Sequence, residues 1–345
     1  MSFTVTVQPT GHTFPVAPGE TVLDAALAAD IILPYSCRTG ACSTCKGKVV
    51  SGRFEAGSAP AQILSPEELK EGYTLFCQAK PDSDMVIEAQ EIRMAGDIQI
   101  RKMPSRVMGL ERVRDDVMVV KLQLPPAEPF RYYAGQYLEF ILKSGERRSY
   151  SMANPPSDDN MVELHIRHMP GGVFTDHVFG VGETAMKVRE ILRVEGPLGS
   201  FFLREDSDKP VVLLASGTGF APIKALVERM QQTGHVRPVV LYWGGRRPGD
   251  LYMNDLAQQW AETLPDFNYV PVVSDALPED NWAGRSGFVH QAVLEDIPDL
   301  SGHQVYACGA PAMVEAARKD FTRQAGLPDN EFYADAFTSQ ADTHK

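Results

Sequence analysis

The chain has 345 residues, with 45 acidic against 33 basic side chains and a formal net charge of -12. That length suits two or three domains, and the acidic balance excludes the basic face that a nucleic-acid binder needs. No apolar run approaches the roughly 18 residues that span a bilayer, so a soluble enzyme without membrane association is expected. Residues 1–7 alternate like a strand and carry no basic region, so no signal peptide is expected and the protein is expected to be cytoplasmic.

Residues 1–93 read as a first domain. Residues 4–7 predict a strand, with 11–16 as its hairpin partner. Thr21 stands at the start of a short helix over 22–29. A further strand follows at 46–50. Ser65-Pro66-Glu67-Glu68 opens a helix, with Ser65 as N-cap and Pro66 at the first helical position. Residues 85–89 close the domain as a strand. Three of the five cysteines fall in Cys37-Arg38-Thr39-Gly40-Ala41-Cys42-Ser43-Thr44-Cys45. A disulfide framework would spread them, and a reducing cytosol would not maintain it. With Cys77 the spacing is C-x4-C-x2-C…C, that of a plant-type [2Fe–2S] cluster. Four thiolates must converge on two irons, so an irregular loop is expected. Small residues (Gly40, Ala41, Ser43) let backbone N–H groups approach the sulfurs. The alternatives are buried structural cysteines or zinc, but zinc usually draws on two short C-x2–4-C knuckles. The predicted ligands are Cys37, Cys42, Cys45 and Cys77.

Residues 94–104, with Gly96, scattered charge and Pro104, read as a linker with room for one short strand. Over 105–204, short apolar strands at 106–110, 117–124, 137–142 and 162–167 alternate with turn signals such as Pro125-Pro126, Ser144-Gly145 and Pro155-Pro156. That spacing predicts an antiparallel β-barrel. It carries Arg148-Ser149-Tyr150-Ser151, then Gly171-Gly172-Val173-Phe174-Thr175. A phosphate-bearing flavin needs an aromatic platform, a cation and backbone donors. Tyr150 can stack on the ring system, and Arg148 can pair with a pyrophosphate through its planar fork. Gly171-Gly172 leads into a helix, whose N-terminus suits phosphate. Alone, Arg-x-Tyr-Ser reads as a strand-end arginine and a half-buried tyrosine. Its order with the later glycine motifs is what points to flavin.

Over 205–345 strands and helices alternate: strands at 211–215, 239–243, 269–273 and 304–307, helices at 222–233, 254–262 and 311–324. This predicts a doubly wound α/β parallel sheet. Ser216-Gly217-Thr218-Gly219-Phe220-Ala221-Pro222 joins a strand to a helix. Its glycines permit a tight turn and close approach to a pyrophosphate, although the usual G-x-G-x-x-G is absent. An ordinary glycine turn is the alternative. Cys308-Gly309-Ala310-Pro311 ends another strand, and a free cysteine there is most simply a small buried residue.

Residues 1–93 resemble the plant-type ferredoxin family, including Leu33-Pro34-Tyr35-Ser36 and Leu75-Phe76-Cys77-Gln78-Ala79, which implies a β-grasp fold of the α+β class. The later motifs, with Tyr242-Trp243-Gly244-Gly245-Arg246 and Asp250-Leu251, resemble the ferredoxin–NADP reductase superfamily. That resemblance implies FAD rather than FMN, held by Arg148, Ser149, Tyr150, Ser151, Gly171, Gly172, Val173 and Thr175. It places Ser151 near flavin N5, and Val173 and Thr175 near the phosphates. It assigns Gly217, Thr218, Gly219, Pro222, Arg246, Gly309 and Pro311 to the nicotinamide nucleotide and sets Cys308 beside the nicotinamide C4. It also implies that Phe337 covers the flavin with Asp335 nearby. Residues 338–345 continue past the point where the superfamily often ends, and core packing is the other reading of Phe337.

The whole chain resembles the reductase components of bacterial oxygenases and, more closely, CDP-6-deoxy-3,4-glucoseen reductases. Leu164-His165-Ile166-Arg167-His168 and Tyr306-Ala307-Cys308-Gly309-Ala310-Pro311 carry the closer match. A nicotinamide gives two electrons as hydride and a [2Fe–2S] cluster takes one at a time, so a flavin belongs between them. The implied path runs from NAD(P)H through FAD and the cluster to an electron-acceptor protein, either an oxygenase component or a PMP-type dehydratase. Resemblance favours NADH, but Arg246 and Arg247 could accept the 2′-phosphate of NADPH. A monomer is expected. Other classes remain open: a non-enzymatic redox sensor or adaptor, and a free flavin or ferric reductase.

Overall fold

The computed structural model describes residues 2–61, 63–89, 98–181 and 184–337, with backbone alone at 93–94. Part of the expected linker and all of 338–345 lie outside the described residues. The chain divides into two units, 1–97 together with 334–345, and 98–333.

The first unit is built on a five-stranded sheet in the order Thr13–Val16, Phe3–Gln8, Met85–Glu88, Lys46–Ser51, Tyr73–Leu75. Alternation decides which face is buried: Val5, Val7, Phe14, Val16, Met85 and Ile87 point inward. Thr21 caps the helix Val22–Ala28, accepting from Asp24 N at 3.1 Å. Val22 N donates to Ala79 O and Leu23 N to Phe76 O, at 2.9 and 3.0 Å. Two N–H groups that a helix start leaves unpaired are thereby satisfied by the segment around Cys77, which anchors that segment to the helix. The Ser65–Glu68 capping box at Pro66–Lys70 is present as the sequence implies. This is the β-grasp arrangement.

The second unit contains a six-stranded antiparallel sheet in the order Arg147–Ser151, Tyr137–Ile141, Ile191–Leu198, Arg101–Arg114, Val117–Gln123, Met161–Arg167. A bridge between Met152 and Leu164 closes it into a barrel around Val120, Leu122, Leu138, Phe140, Leu164 and Val194. The strand Arg101–Arg114 starts five residues before the expected 106. Residues 101–106 pair with Ile191–Leu198, and the ladder to Val117–Gln123 begins only at Arg106. Pro104, which has no N–H to give, thus lies on the singly paired half. Ile191–Leu198 was not anticipated, because Arg193 and Glu195 dilute its apolar pattern.

The same unit holds a parallel sheet in the order Arg285–Ser286, Phe267–Val273, Val239–Gly245, Val211–Ser216, Gln304–Gly309. Residues 211–215 are fully buried because both faces of the sheet are covered. Val211–Ser216 pairs with Val239–Gly245 on one side and Gln304–Gly309 on the other. The strand order reverses there, and ligands of open α/β sheets bind beyond such a switch point. All three expected fold classes are present.

Candidate redox centres

In the first unit the loop after Ile31–Ile32 brings the four sulfurs together as two pairs. Cys37 and Cys42 are hydrogen-bonded to each other, as are Cys45 and Cys77. The Cys42 thiol, with help from the Thr39 and Ala41 amides, holds Cys37 down at about 5 against the opposing effect of burial. Cys77 is likewise lowered, first by Cys45, and Gln78 Nε2 stands 3.7 Å from its sulfur. Two sulfur pairs suit two irons, so the donor set fits a [2Fe–2S] centre. Beside Cys37, the buried Ser36 Oγ donates to Asp335 Oδ1 at 2.6 Å. A sequence separation of 299 hid that contact.

In the second unit Arg147–Ser151 places the flavin motif on a barrel strand. Arg147 is bound to Glu139 and Glu195, and Ser149 Oγ donates to Glu139 at 3.3 Å. Among the described residues Arg148 meets one carboxylate, the exposed Glu146, at 3.0 Å, so it is the cation better placed to exchange its partner for a phosphate. Tyr150 packs on Phe140 and Phe174, with centroids 5.9 and 5.5 Å away, and burial raises its hydroxyl. Ser151 is buried at the strand end opposite Tyr137. Gly172 precedes the helix Val173–Phe179. Thr175 Oγ1 bonds Met169 O at 2.8 Å and Gly172 O at 3.2 Å, so its hydroxyl shapes the turn. Val173 is 68% exposed, and a Cβ on Gly171 would meet nothing within 4 Å. The turn therefore has an open side, and the residues present fit a flavin phosphate.

The nicotinamide motifs converge at the switch point. A Cβ on Gly219 would stand 2.5 Å from the carbonyl carbon of Cys308 and 2.8 Å from Gly309 Cα. Gly309 has φ +133°, and a Cβ there would lie 2.6 Å from Ser216 O. Only glycine at both places lets the two loops touch. Ala310 N donates to Ser216 Oγ at 3.0 Å, and Trp243 Nε1 to Gly217 O at 3.0 Å. Thr218 and Pro222 are buried at the start of the helix Phe220–Thr233, Pro311 begins the helix Pro311–Gln324, and Cys308 is wholly buried at its strand end. Arg246 is 80% exposed and Arg247 more buried, and both face Asp275 at 3.6 Å. Asp335 lies in the strand Phe332–Ala336 and Phe337, partly exposed, follows it, both in the segment grouped with the first unit.

Asp250 was known from its motif but not its partners. Its carboxylate accepts from the amides of Arg246 and Arg247, at 2.7 and 2.9 Å, and from the Arg114 and Arg167 guanidiniums. Burial would raise it, but those donors hold it below the ordinary range. Sequence reading also missed Glu163, Lys224 and Tyr252. One signal was present: a lysine set within the apolar run Ala221-Pro222-Ile223-Lys224-Ala225-Leu226-Val227.

Three family models match the chain: a 2Fe-2S iron-sulfur cluster binding domain over 5–82, an oxidoreductase FAD-binding domain over 104–203, and an oxidoreductase NAD-binding domain over 213–319. The CDP-6-deoxy-L-threo-D-glycero-4-hexulose-3-dehydrase reductase of Yersinia pseudotuberculosis is 43% identical, covering 98% of this chain and 99% of that protein. Reductase component 1 of terephthalate 1,2-dioxygenase from Comamonas is 35% identical, with 96% of each chain covered. The crystal structure of the Amycolatopsis cytochrome P450 reductase GcoB superposes with a TM-score of 0.76 at 36% identity, covering 98% of this chain and 99% of that one.

The chain belongs to the iron–sulfur flavoprotein reductase family. It is an oxidoreductase that uses a [2Fe–2S] cluster, FAD and a nicotinamide nucleotide to pass electrons to a separate partner protein. That membership sets aside the sensor and free-flavin reductase readings. Among the described residues no helix is long and apolar enough to cross a membrane.

Proposed function

We propose that the donor is NADH, that Ser151 and Cys308 flank the hydride-transfer centre, and that the acceptor is a deoxysugar dehydratase docking at the loop 38–44. The observation that carries the hydride centre is the meeting of the two glycine loops at Cys308, where no side chain fits between Gly219 and the cysteine carbonyl. FAD, when bound, would supply the change from two-electron to one-electron chemistry. Arg148 would hold its pyrophosphate, with the amides after Gly172 as further donors, while Asp335 stays by Ser36, next to Cys37.

Asp275 supports NADH. Its carboxylate lies against Arg246 and Arg247, and Arg247 also donates to Asp275 O. A 2′-phosphate entering there would meet this negative charge and compete for the same arginines, whereas a 2′-hydroxyl can donate to the carboxylate. The dehydratase is favoured by the relative whose name carries a dehydrase reductase, matched over 98% of this chain and 99% of that protein. The protein works as a cytosolic monomer in this reading.

The test is NADH-dependent turnover with purified dehydratase and oxygenase components from the same cell. The reading expects dehydratase product at a rate matching NADH consumption. Turnover with the oxygenase alone, or a higher kcat/KM with NADPH, would overturn it.

A further inference from the structure

The second unit contains a buried charged cluster that the proposed sites leave unused. Glu163 and His165 stand two apart on the strand Met161–Arg167 and so share a face. Lys224 comes from the helix Phe220–Thr233, and Tyr252 from the turn after Pro248–Asp250. Lys224 Nζ lies 2.7 Å from Glu228 and 3.2 Å from Glu163, and donates to Ala153 O at 3.1 Å. His165 bonds Glu163 through Nε2 at 3.0 Å and Tyr252 through Nδ1 at 2.8 Å.

The protonation pattern follows from these contacts. Burial would raise Glu163, but the His165 hydrogen bond and the Lys224 charge outweigh it and hold the carboxyl at about 2. Burial pushes His165 down, so its imidazole is neutral. An ionised carboxylate only accepts, so the proton sits on Nε2, and Nδ1 accepts from the Tyr252 hydroxyl. Lys224 and His165 therefore both donate to Glu163, and Tyr252 donates to His165.

The position of this network is what matters. Leu164 forms the bridge to Met152 that closes the barrel, and Ala153 N donates to Glu163 O at 2.7 Å. Lys224 holds that seam from both sides, by the Ala153 carbonyl in the bend just beyond the strand Arg147–Ser151 and by the Glu163 carboxylate on the strand Met161–Arg167. Ala153 is two residues beyond Ser151, and Lys224 sits on the helix that the turn Gly217–Gly219 opens. At the far end the Tyr252 ring stands edge-on to Trp243, at 5.3 Å, and Trp243 bonds Gly217 O. Hydrogen bonds from Ala153 to Tyr252, one ring contact from Tyr252 to Trp243 and the Trp243–Gly217 bond thus connect the segment after the flavin strand to the nicotinamide turn. Apolar contact alone tolerates sliding, and hydrogen bonds of fixed length and angle do not.

We propose that Lys224, backed by Glu163 and His165, is a positioning residue that sets the spacing between the strand end at Ser151 and the turn Gly217–Gly219, and through it the rate of hydride transfer. The proposal rests on the reading that these two segments hold flavin and nicotinamide. A misplacement of about 1 Å between reacting groups can cost on the order of 100-fold in rate.

The test compares Lys224→Met, Lys224→Arg and the double variant Glu163→Gln/Lys224→Met as full-length, cofactor-loaded protein. In anaerobic stopped flow, Lys224→Met is expected to slow flavin reduction by NADH at least tenfold per bound flavin, with NADH affinity within threefold of the parent. Lys224→Arg is expected to recover to within threefold. The double variant, which leaves no stranded carboxylate at Glu163, stays slow even where it matches the parent in thermal stability. In flavin-stripped protein, amide hydrogen exchange at 151–153 and 163–165 rises for Lys224→Met and not for Lys224→Arg. Flavin reduction within twofold of the parent in both Met-bearing variants would make the cluster purely stabilising and overturn the proposal. The site reading fails separately: if Ser151→Ala and Cys308→Ala leave flavin content and reduction rate unchanged, the two segments are not the redox site, whatever Lys224 does.

Discussion

Gly219→Ala isolates the contact between the two nicotinamide loops. Gly219 has ordinary helical angles, φ -58° and ψ -12°, so alanine suffers no backbone strain; as the N-cap of the helix Phe220–Thr233 it gains less than the about 1 kcal/mol of a helix interior. The new methyl, however, would sit 2.5 Å from the carbonyl carbon of Cys308 and 2.8 Å from Gly309 Cα. These are backbone atoms and cannot rotate away, so the loops must part by about 1 Å to restore van der Waals contact. Overpacking of this kind costs about 1–3 kcal/mol, which exceeds the helix gain. Parting the loops also carries Cys308 away from its place, and about 1 Å at a reacting centre can cost on the order of 100-fold. The expected outcome is a lower Tm and flavin reduction by NADH slowed between ten- and 100-fold, read by stopped-flow absorbance, with flavin content unchanged. A Tm at or above the parent value together with a rate within twofold would refute the argument that this close approach positions the nicotinamide.

Three further outcomes follow from other parts of the molecule. Asp275→Ser is expected to raise kcat/KM for NADPH at least tenfold, because a like charge about 4 Å away near a surface is worth on the order of 1–4 kcal/mol; steady-state kinetics with both nucleotides checks this. Cys45→Ser should abolish the visible absorbance and reduced-state EPR signal of the cluster, leave flavin reduction by NADH in place, and lower cytochrome c reduction more than tenfold. Stability should fall in two stages on acidification. His165, His290 and His303 are held below their ordinary 6.5 by burial, so the unfolded chain takes up protons first and stability is lost as pH drops below about 6.5. Glu163, held at about 2 against an ordinary 4.5, contributes stability above 4.5 that disappears as pH falls through about 2. Urea unfolding between pH 7 and about 2 measures both, and Glu163→Gln should flatten the second stage.

Local chemistry was readable in the sequence wherever one short segment carries the whole requirement. The spacing of Cys37, Cys42 and Cys45 is the one a loop needs to wrap two irons. Ser65-Pro66-Glu67-Glu68 writes out a helix start, and the apolar run 211–215 with glycines after it is a buried strand entering a turn. The parallel sheet was equally plain, because strand and helix periods alternate over a long stretch. The barrel was read less completely. Ile191–Leu198 carries charges on its outer face, and Pro104 masked the early start of its partner strand.

What the tertiary structure decided was which distant segments meet. The amino-acid order shows glycines at 219 and 309 but not that each exists to admit the other's loop. It shows two arginines after Gly245 but not that Asp275 faces both. It shows a serine before the first cluster ligand but not the Asp335 carboxylate that accepts from it. Above all it shows Glu163, His165, Lys224 and Tyr252 as scattered polar residues. Charged groups are stable in a core only when folding supplies their partners, and those partners lie on separate strands, a helix and a turn. Periodicity and spacing report what neighbours along the chain require of one another; pairings across the fold are set by how the barrel closes and how the helix Phe220–Thr233 lies against its seam.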